Sequence, residues 1–365
     1  MKKILFYTNI PSPYRVDFFN ELGKFCELTV LFEASHSSER DDNWKKFEFK
    51  NFRGIIMQGK RTAVDSAYCP EITKWLKADK YDEIVICVLS SLTALTAVSY
   101  LKRHHIPYSY EGDGGFVHKD NKLKYMIKKY IVGNATRVYS TCKAFDDYCV
   151  NYGAKRESIV RYPLSSVFDN DIIKETISSE KKAELKSELE IKEDRAIISV
   201  GQMIPRKGFD ILIKASAKLD DSIGVYLVGG KPNDELDKLV KDAGLTNIHF
   251  VDFMDRESLK EYYKACDLFV LPTREDIWGL VVNEAMANGL GVVTTTRCNA
   301  GLEMVRDGIN GFLYDPEDVD KLSQILKRFS DGEIDILKLS DEAKETAHNF
   351  SLEKMVDIHK QTMNL

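Results

Sequence analysis

Residues 268–296 read LFVLPTREDIWGLVVNEAMANGLGVVTTT, and the rest of the chain is organised around them. Leu268 to Pro272 is an apolar run short enough for a buried parallel strand. A polar loop, Thr273 to Trp278, follows. An Ala/Met/Glu-rich helix starts near Gly279 and is stopped by Gly289. A second apolar run, Val292 to Thr296, completes a strand–loop–helix–strand unit. Such a unit aims the first N–H groups of its helix at whatever lies above the strand ends, a ready site for phosphate. Two carboxylates flank that position, Asp276 in the loop and Glu284 further along the helix. An anion-binding helix start that also carries acids suits a ligand with both phosphates and hydroxyls, such as a nucleotide-sugar.

The surrounding chain supplies the setting. Its 365 residues are enough for two domains. With 44% apolar and 30% charged residues, the composition is that of a soluble globular protein, and no apolar run is long enough to cross a bilayer. The N-terminal MKKILFYTNIPSPYR reads as a first strand rather than a signal peptide. Seven scattered cysteines without a C-x-x-C pair indicate neither a disulfide framework nor a zinc site, and a cytoplasmic location is expected. The net charge of −5 is unevenly spread: residues 1–167 hold 26 Lys and Arg against 19 Asp and Glu, and the remainder is acidic. An acidic second half argues against a nucleic-acid partner.

In order, apolar runs at Ile4–Tyr7, Leu28–Phe32 and Ile84–Val88 alternate with helical patterns at 14–24 and after Ser90-Ser91. Short strands are expected at 137–140 and 158–161, and a charged surface loop with an edge strand at 36–50. Residues 168–194 are densely charged and predict a solvated linker helix without a core pattern. The alternation then restarts at Ala196 and runs through the opening stretch. Two doubly wound α/β domains follow, 1–167 and 168–349. A last helix, 350–363, carries Leu352, Met355, Val356, His359 and Met363 roughly on one face.

A second glycine-rich turn joins a strand to a helix: Ser199-Val200-Gly201-Gln202-Met203-Ile204-Pro205-Arg206-Lys207-Gly208. Two adjacent cations beside a glycine can neutralise a diphosphate. It is not a P-loop, since no Ser or Thr follows the Lys. Gly229-Gly230 ends the next strand, and Asp252-Phe253-Met254-Asp255 the one after.

The 276–284 segment resembles the signature of the retaining GT-B glycosyltransferases of family 4, in which an acid, seven residues and a Glu bracket a glycine-containing helix start. The resemblance covers nearly all of 195–320. It implies two Rossmann-like domains facing across a cleft, with the C-terminal helix crossing back onto the first. It implies a nucleoside diphosphate sugar as substrate, no metal and no cofactor, and relatives that build capsule or O-antigen. It places the donor diphosphate on Arg206 and Lys207, ribose on Glu284, sugar hydroxyls on Asp276 or Glu275, and the nucleobase on the turn at Met254. Gly201, Gly208, Gly229, Gly230, Gly279, Leu280 and Val281 supply backbone. The chain has Asp276 where the family usually has Glu, and Gln202 where it has Arg, for which Arg206 is the candidate substitute.

In the first half, Glu111-Gly112-Asp113 imitates the metal-binding pair of GT-A enzymes, but the two doubly wound domains favour a decoy. Acceptor-side candidates are Arg15, Glu111, Asp113 and His118. Residues 119–131, KDNKLKYMIKKYI, place Leu123, Met126, Ile127, Tyr130 and Ile131 at helical spacing among lysines. They read first as a core-facing helix with a solvated lysine side, and next as a helix lying on anionic membrane, beside a lipid-linked saccharide acceptor. Two rival functions stay open: an inverting GT-B enzyme of the epimerase-like type, and a non-catalytic nucleotide-sugar-binding protein.

Overall fold

A computed structural model describes residues 1–36 and 48–365; most of the charged segment expected at 36–50 lies outside them. The chain forms two units, Met1–Ser166 with Leu352–Leu365, and Val167–Ser351.

The first unit is built on β1 (Lys3–Thr8), α1 (Pro13–Leu22), β2 (Glu27–Phe32) and β3 (Arg53–Ile56). A hairpin follows, β4 (Lys60–Ala63) with β5 (Ser66–Tyr68). Then come α2 (Ile72–Ala78), β6 (Glu83–Ile86), α3 (Leu92–Arg103), β7 (Ser109–Glu111), α4 (Lys122–Val132), β8 (Arg137–Ser140), α5 (Lys143–Asn151) and β9 (Ile159–Arg161). Seven strands lie in the order β3-β2-β1-β6-β7-β8-β9, and every pairing in this sheet is parallel. The runs ILFY and LTVLF supply its centre: Ile4, Leu5, Phe6, Tyr7, Val30 and Leu31 are fully buried. Continuous rather than alternating apolarity is what a sheet covered on both faces requires. Pro13 opens α1, where its missing N–H costs nothing, and the Ser91 side chain caps α3 by accepting from the Ala94 N–H.

The second unit contains α6 (Ser179–Glu188), β10 (Arg195–Val200), α7 (Phe209–Ser216), β11 (Ile223–Val228), α8 (Asp234–Asp242), β12 (Ile248–Val251), α9 (Arg256–Ala265), β13 (Leu268–Leu271), α10 (Leu280–Ala287), β14 (Gly291–Thr295), α11 (Asn299–Met304), β15 (Gly311–Tyr314), α12 (Val319–Ser330) and α13 (Ile336–Asn349). Its strand order, β12-β11-β10-β13-β14-β15, reverses direction between β10 and β13. In a doubly wound sheet that reversal opens a crevice at the strands' carboxyl ends. The loops after β10 and β13 are the two glycine-rich turns of the sequence. Gly289 ends α10 in the left-handed conformation (φ 75°), with the Leu290 N–H returning to the Ala285 carbonyl.

The charged segment 168–194 is more ordered than its composition suggests. In α6, Leu185 is 2% exposed, and Lys182 and Lys186 both reach Asp267, at 2.7 and 3.3 Å. Asp267 also accepts from the Ala196 N–H that opens β10. One leucine and one buried acid, rather than an apolar stripe, fasten this helix.

The last helix, α14 (Leu352–Met363), belongs to the first unit. It buries Leu352, Met355, Val356, His359 and Met363, and Lys2 Nζ donates to the Met363 carbonyl at 2.8 Å.

Candidate functional site

Residues 205–207 form a single 3-10 turn after β10, and Gly208 closes it at φ 70°. A Cβ on Gly208 would stand 2.0 Å from the Pro272 carbonyl oxygen, so the turn meets the end of β13 only through a residue without a side chain. The loop after β13 grips the turn. The Arg274 N–H and the Thr273 hydroxyl both donate to the Arg206 carbonyl, at 2.8 and 3.0 Å. Arg274 Nη1 donates to the Pro205 carbonyl, and its guanidinium takes both oxygens of Asp210 in α7 at 2.8 and 2.9 Å. Burial pushes the Asp210 carboxyl up, but the hydrogen bonds from Arg274 and Lys214 hold it below the usual carboxylate range.

This grip brings the two motifs together. Lys207 Nζ lies 2.5 Å from Asp276 Oδ2, Arg206 lies 3.8 Å from the same oxygen, and Arg206 Nη1 donates to the Glu275 carbonyl at 2.9 Å. Lys207 runs its stem across Gly201, where a Cβ would come within 3.3 Å of it. Asp276 is 7% exposed, while the half-buried Glu275 is ion-paired with Arg297.

The other side of the loop is sewn to the segment after β14. Asp276 N–H donates to the Arg297 carbonyl, Asn299 Nδ2 to the Ile277 carbonyl, and Cys298 Sγ and the Ala300 N–H to the Trp278 carbonyl. Burial, then Asp276, pushes the Cys298 thiol up to about 12, so it acts as a packed neutral donor. Gly279 follows at φ 102°, its absent Cβ 2.8 Å from Cys298 Sγ. No side chain caps α10, so its first-turn N–H groups, at Leu280 and Val281, point out of the strand ends.

Glu284 lies on α10 roughly 7.5 Å along the axis from Gly279, at 1.5 Å per residue. Tyr263 donates to it at 3.4 Å. It lines a cavity of about 280 Å³, counted with the solvent at its mouth, together with Asp171, Arg256, Lys260, Tyr263 and Asn288. Gly229 and Gly230 sit at the end of β11, both N–H groups donating to the Val251 carbonyl. Met254 is half-buried just before α9, whose cap is Asp255. No group of three or more His, Cys, Asp or Glu able to hold a metal ion occurs among the described residues.

The acceptor-side candidates fare differently. Arg15 is not an open cation: it is 3% exposed and ion-paired to both Glu111 and Asp113. Glu111 is fully buried, with Arg15 on one oxygen and His359 Nε2 on the other at 3.1 Å. Neither can present itself to a substrate, because each already meets a buried opposite charge. Asp113, which also accepts from the Tyr14 hydroxyl, keeps a quarter of its side chain exposed. His118 is exposed.

The basic helix corrects one expectation. Leu123 and Met126 are 68% and 55% exposed rather than core-facing, whereas Lys128 is buried against Asp120 at 2.8 Å and under the rings of Tyr148 and Tyr152. Helical spacing identifies the faces of a helix but not which of them the fold covers.

Glu33 belongs to no motif in the sequence. At the end of β2 it is 1% exposed and accepts from the Tyr7 and Ser91 hydroxyls and from the Ala67 N–H at 3.0 Å. Burial raises its carboxyl, against those hydrogen bonds. The available signal was a carboxylate placed directly after an apolar run.

Residues 180–350 match the family described as glycosyl transferases group 1. That match spans just under half of the chain. A Methanocaldococcus jannaschii protein named as an uncharacterized glycosyltransferase is 24% identical over 69% of this chain and 65% of its own length. The lipopolysaccharide core biosynthesis glycosyltransferase LpsE of Rhizobium meliloti is 29% identical over 46% of this chain and 49% of its own. The chain thus spans less than two thirds of either relative. Anabaena HepE, solved in complex with UDP, superposes with a TM-score of 0.81 at 19% identity, each chain covered completely; it was also solved with UDP and glucose and with UDP-glucose. The fold is therefore GT-B, and the group 1 segment contains both glycine-rich turns, Lys207, Asp276 and Glu284.

Proposed function

We propose that the chain is a metal-independent, retaining glycosyltransferase that moves a sugar from a nucleoside diphosphate sugar to a saccharide acceptor, carried on lipid, in the making of cell-surface polysaccharide. The reading is carried by the contact of Lys207 with Asp276 beside the uncapped start of α10. A donor diphosphate settling there replaces the carboxylate as partner of Lys207 and Arg206, and gains the N–H groups of Leu280 and Val281. These groups stabilise charge on the leaving phosphate as the glycosidic C–O bond breaks. Asp276, released from Lys207, accepts from a sugar hydroxyl, and Glu284 accepts from the ribose hydroxyls. The acceptor is assigned to the first unit, with Asp113 as its candidate contact, and the proton of its hydroxyl passes to the departing phosphate oxygen, so the scheme asks for no strong protein base. The lysines of α4 with Leu123 and Met126 give that acceptor's membrane a place to lie.

The related proteins support the donor class, since HepE binds UDP and UDP-glucose, and the name of LpsE supports the acceptor class. The test is a thermal-shift screen over UDP-, GDP- and ADP-sugars, followed by slow donor hydrolysis with the stabilising compound and NMR of the product anomer. Stabilisation without hydrolysis or transfer to any saccharide leaves only a binding protein; an inverted anomer removes the retaining mechanism.

A further inference from the structure

The first unit holds a buried charge network that the scheme above uses only at its exposed end, Asp113. Its buried end is a histidine from the opposite terminus of the chain. His359 is fully buried. Its Nδ1 lies 2.8 Å from the Met355 carbonyl oxygen, which can only accept, so Nδ1 carries a hydrogen. Its Nε2 lies 3.1 Å from Glu111 Oε2. Burial pushes the Glu111 carboxyl up, but Arg15, then His359, outweigh this and hold it at about 2. The Arg15 guanidinium paired with its other oxygen makes Glu111 a carboxylate that only accepts, so Nε2 must carry a hydrogen too. The ring is stacked on Tyr139 at 4.7 Å and 13°, with Phe18 and Tyr162 against its other sides. The ionisable groups that meet the ring are Glu111 on β7, Tyr139 on β8 and Tyr162 after β9; Arg15 on α1 and Cys87 after β6 act on it through Glu111.

We propose that His359 is an imidazolium that positions Asp113 by dividing Arg15 between two carboxylates. A guanidinium left alone with one carboxylate closes on both of its oxygens. Here His359 occupies Oε2 of Glu111, so Arg15 gives Nη1 to Oε1 and has Nη2 left for Asp113. The C-terminal helix thereby sets the orientation of an acid at the far end of the network, making His359 a positioning residue.

The test uses the full chain with ¹⁵N-labelled histidine, the His359 signals being assigned by their loss in His359→Gln. At pH 7.5 both ring nitrogens are expected at imidazolium shifts with attached protons; one bare, pyridine-like nitrogen overturns the proposal. A crystal structure of His359→Phe, which keeps the ring stack, is expected to show both Arg15 Nη atoms on Glu111 and none on Asp113. Arg15 still bridging the two acids overturns it. Should His359→Phe not fold, His359→Leu carries the same comparison, since it too leaves Glu111 Oε2 without a donor. The positioning role rests on the acceptor-side reading of Asp113, and there the expected effect is about a tenfold rise in acceptor KM with UDP affinity unchanged. An unchanged acceptor KM beside a released Arg15 removes Asp113 from the reaction but not the imidazolium.

Discussion

Lys207 donates to Asp276 at 2.5 Å although 69 residues separate them, and the contact falls where β10 and β13 lie side by side and the strand order reverses. The position follows from topology: only there do two consecutive strand–helix loops diverge and leave space above the sheet. Replacing Lys207 with Ala removes the cation that the donor diphosphate needs in place of Asp276. The expected loss is about 10²- to 10³-fold in kcat, as for the removal of one group that stabilises developing charge. Far-UV circular dichroism should stay as in the wild type. Turnover within tenfold of wild type would count against the scheme.

Gly208→Ala tests the same junction through the backbone. The residue sits at φ 70° and its new methyl would lie 2.0 Å from the Pro272 carbonyl oxygen, so the 205–207 turn must move off β13. A cost above about 2 kcal/mol is expected from conformation and collision together. It should appear as a lower melting transition of the second unit, with donor binding lost. Gly230→Ala is a control for backbone conformation alone, since a Cβ there meets nothing within 4 Å.

How much of this could be read beforehand depended on whether the physics was local. The runs ILFY and LFVLP and the stop at Gly289 were legible because buried parallel strands and left-handed caps leave unambiguous residues. The face of α14 was legible for the same reason, down to His359. The network that His359 joins was not, because Arg15, Glu111 and His359 lie 96 and 248 residues apart and nothing in spacing pairs them. Nothing in the sequence marks Arg274, although it holds the 205–207 turn through Asp210 and the Pro205 carbonyl. Which face of α4 the fold covers was not legible, because Lys128 finds Asp120 and two tyrosine rings, which repay the burial of its charge.

Acid stability should report on Glu111. Its folded value of about 2 lies below its ordinary 4.5, so ionisation favours the folded state. That contribution is complete above pH 4.5 and is lost as pH falls through 2, since the unfolded chain takes up the proton first. The shift corresponds to roughly 3 kcal/mol at 1.36 kcal/mol per unit. In urea titrations the gap in stability between wild type and Glu111→Gln should be widest near neutrality and close between pH 5 and 2. A gap independent of pH would place the effect in packing instead.

Membrane contact through α4 should depend on apolar side chains as well as charge. Leu123 and Met126 stand one turn apart and exposed, flanked by exposed Lys119, Lys122, Lys124 and Lys129. Each cation near an anionic surface contributes about 1 kcal/mol, and each inserted side chain up to about 1.5–3 kcal/mol, so the two terms are comparable. Lys128 must be left in place, because it is committed to Asp120. Flotation with vesicles of one-third anionic lipid should recover the wild type. Leu123→Ser with Met126→Ser, and separately Lys122→Ser with Lys129→Ser, should each lower the bound fraction at least tenfold, and only the second loss should be mimicked by 0.5 M salt, which screens charge but strengthens apolar burial. Equal flotation of all three proteins would remove this surface from the reading and leave the lipid-linked acceptor without a docking face on α4.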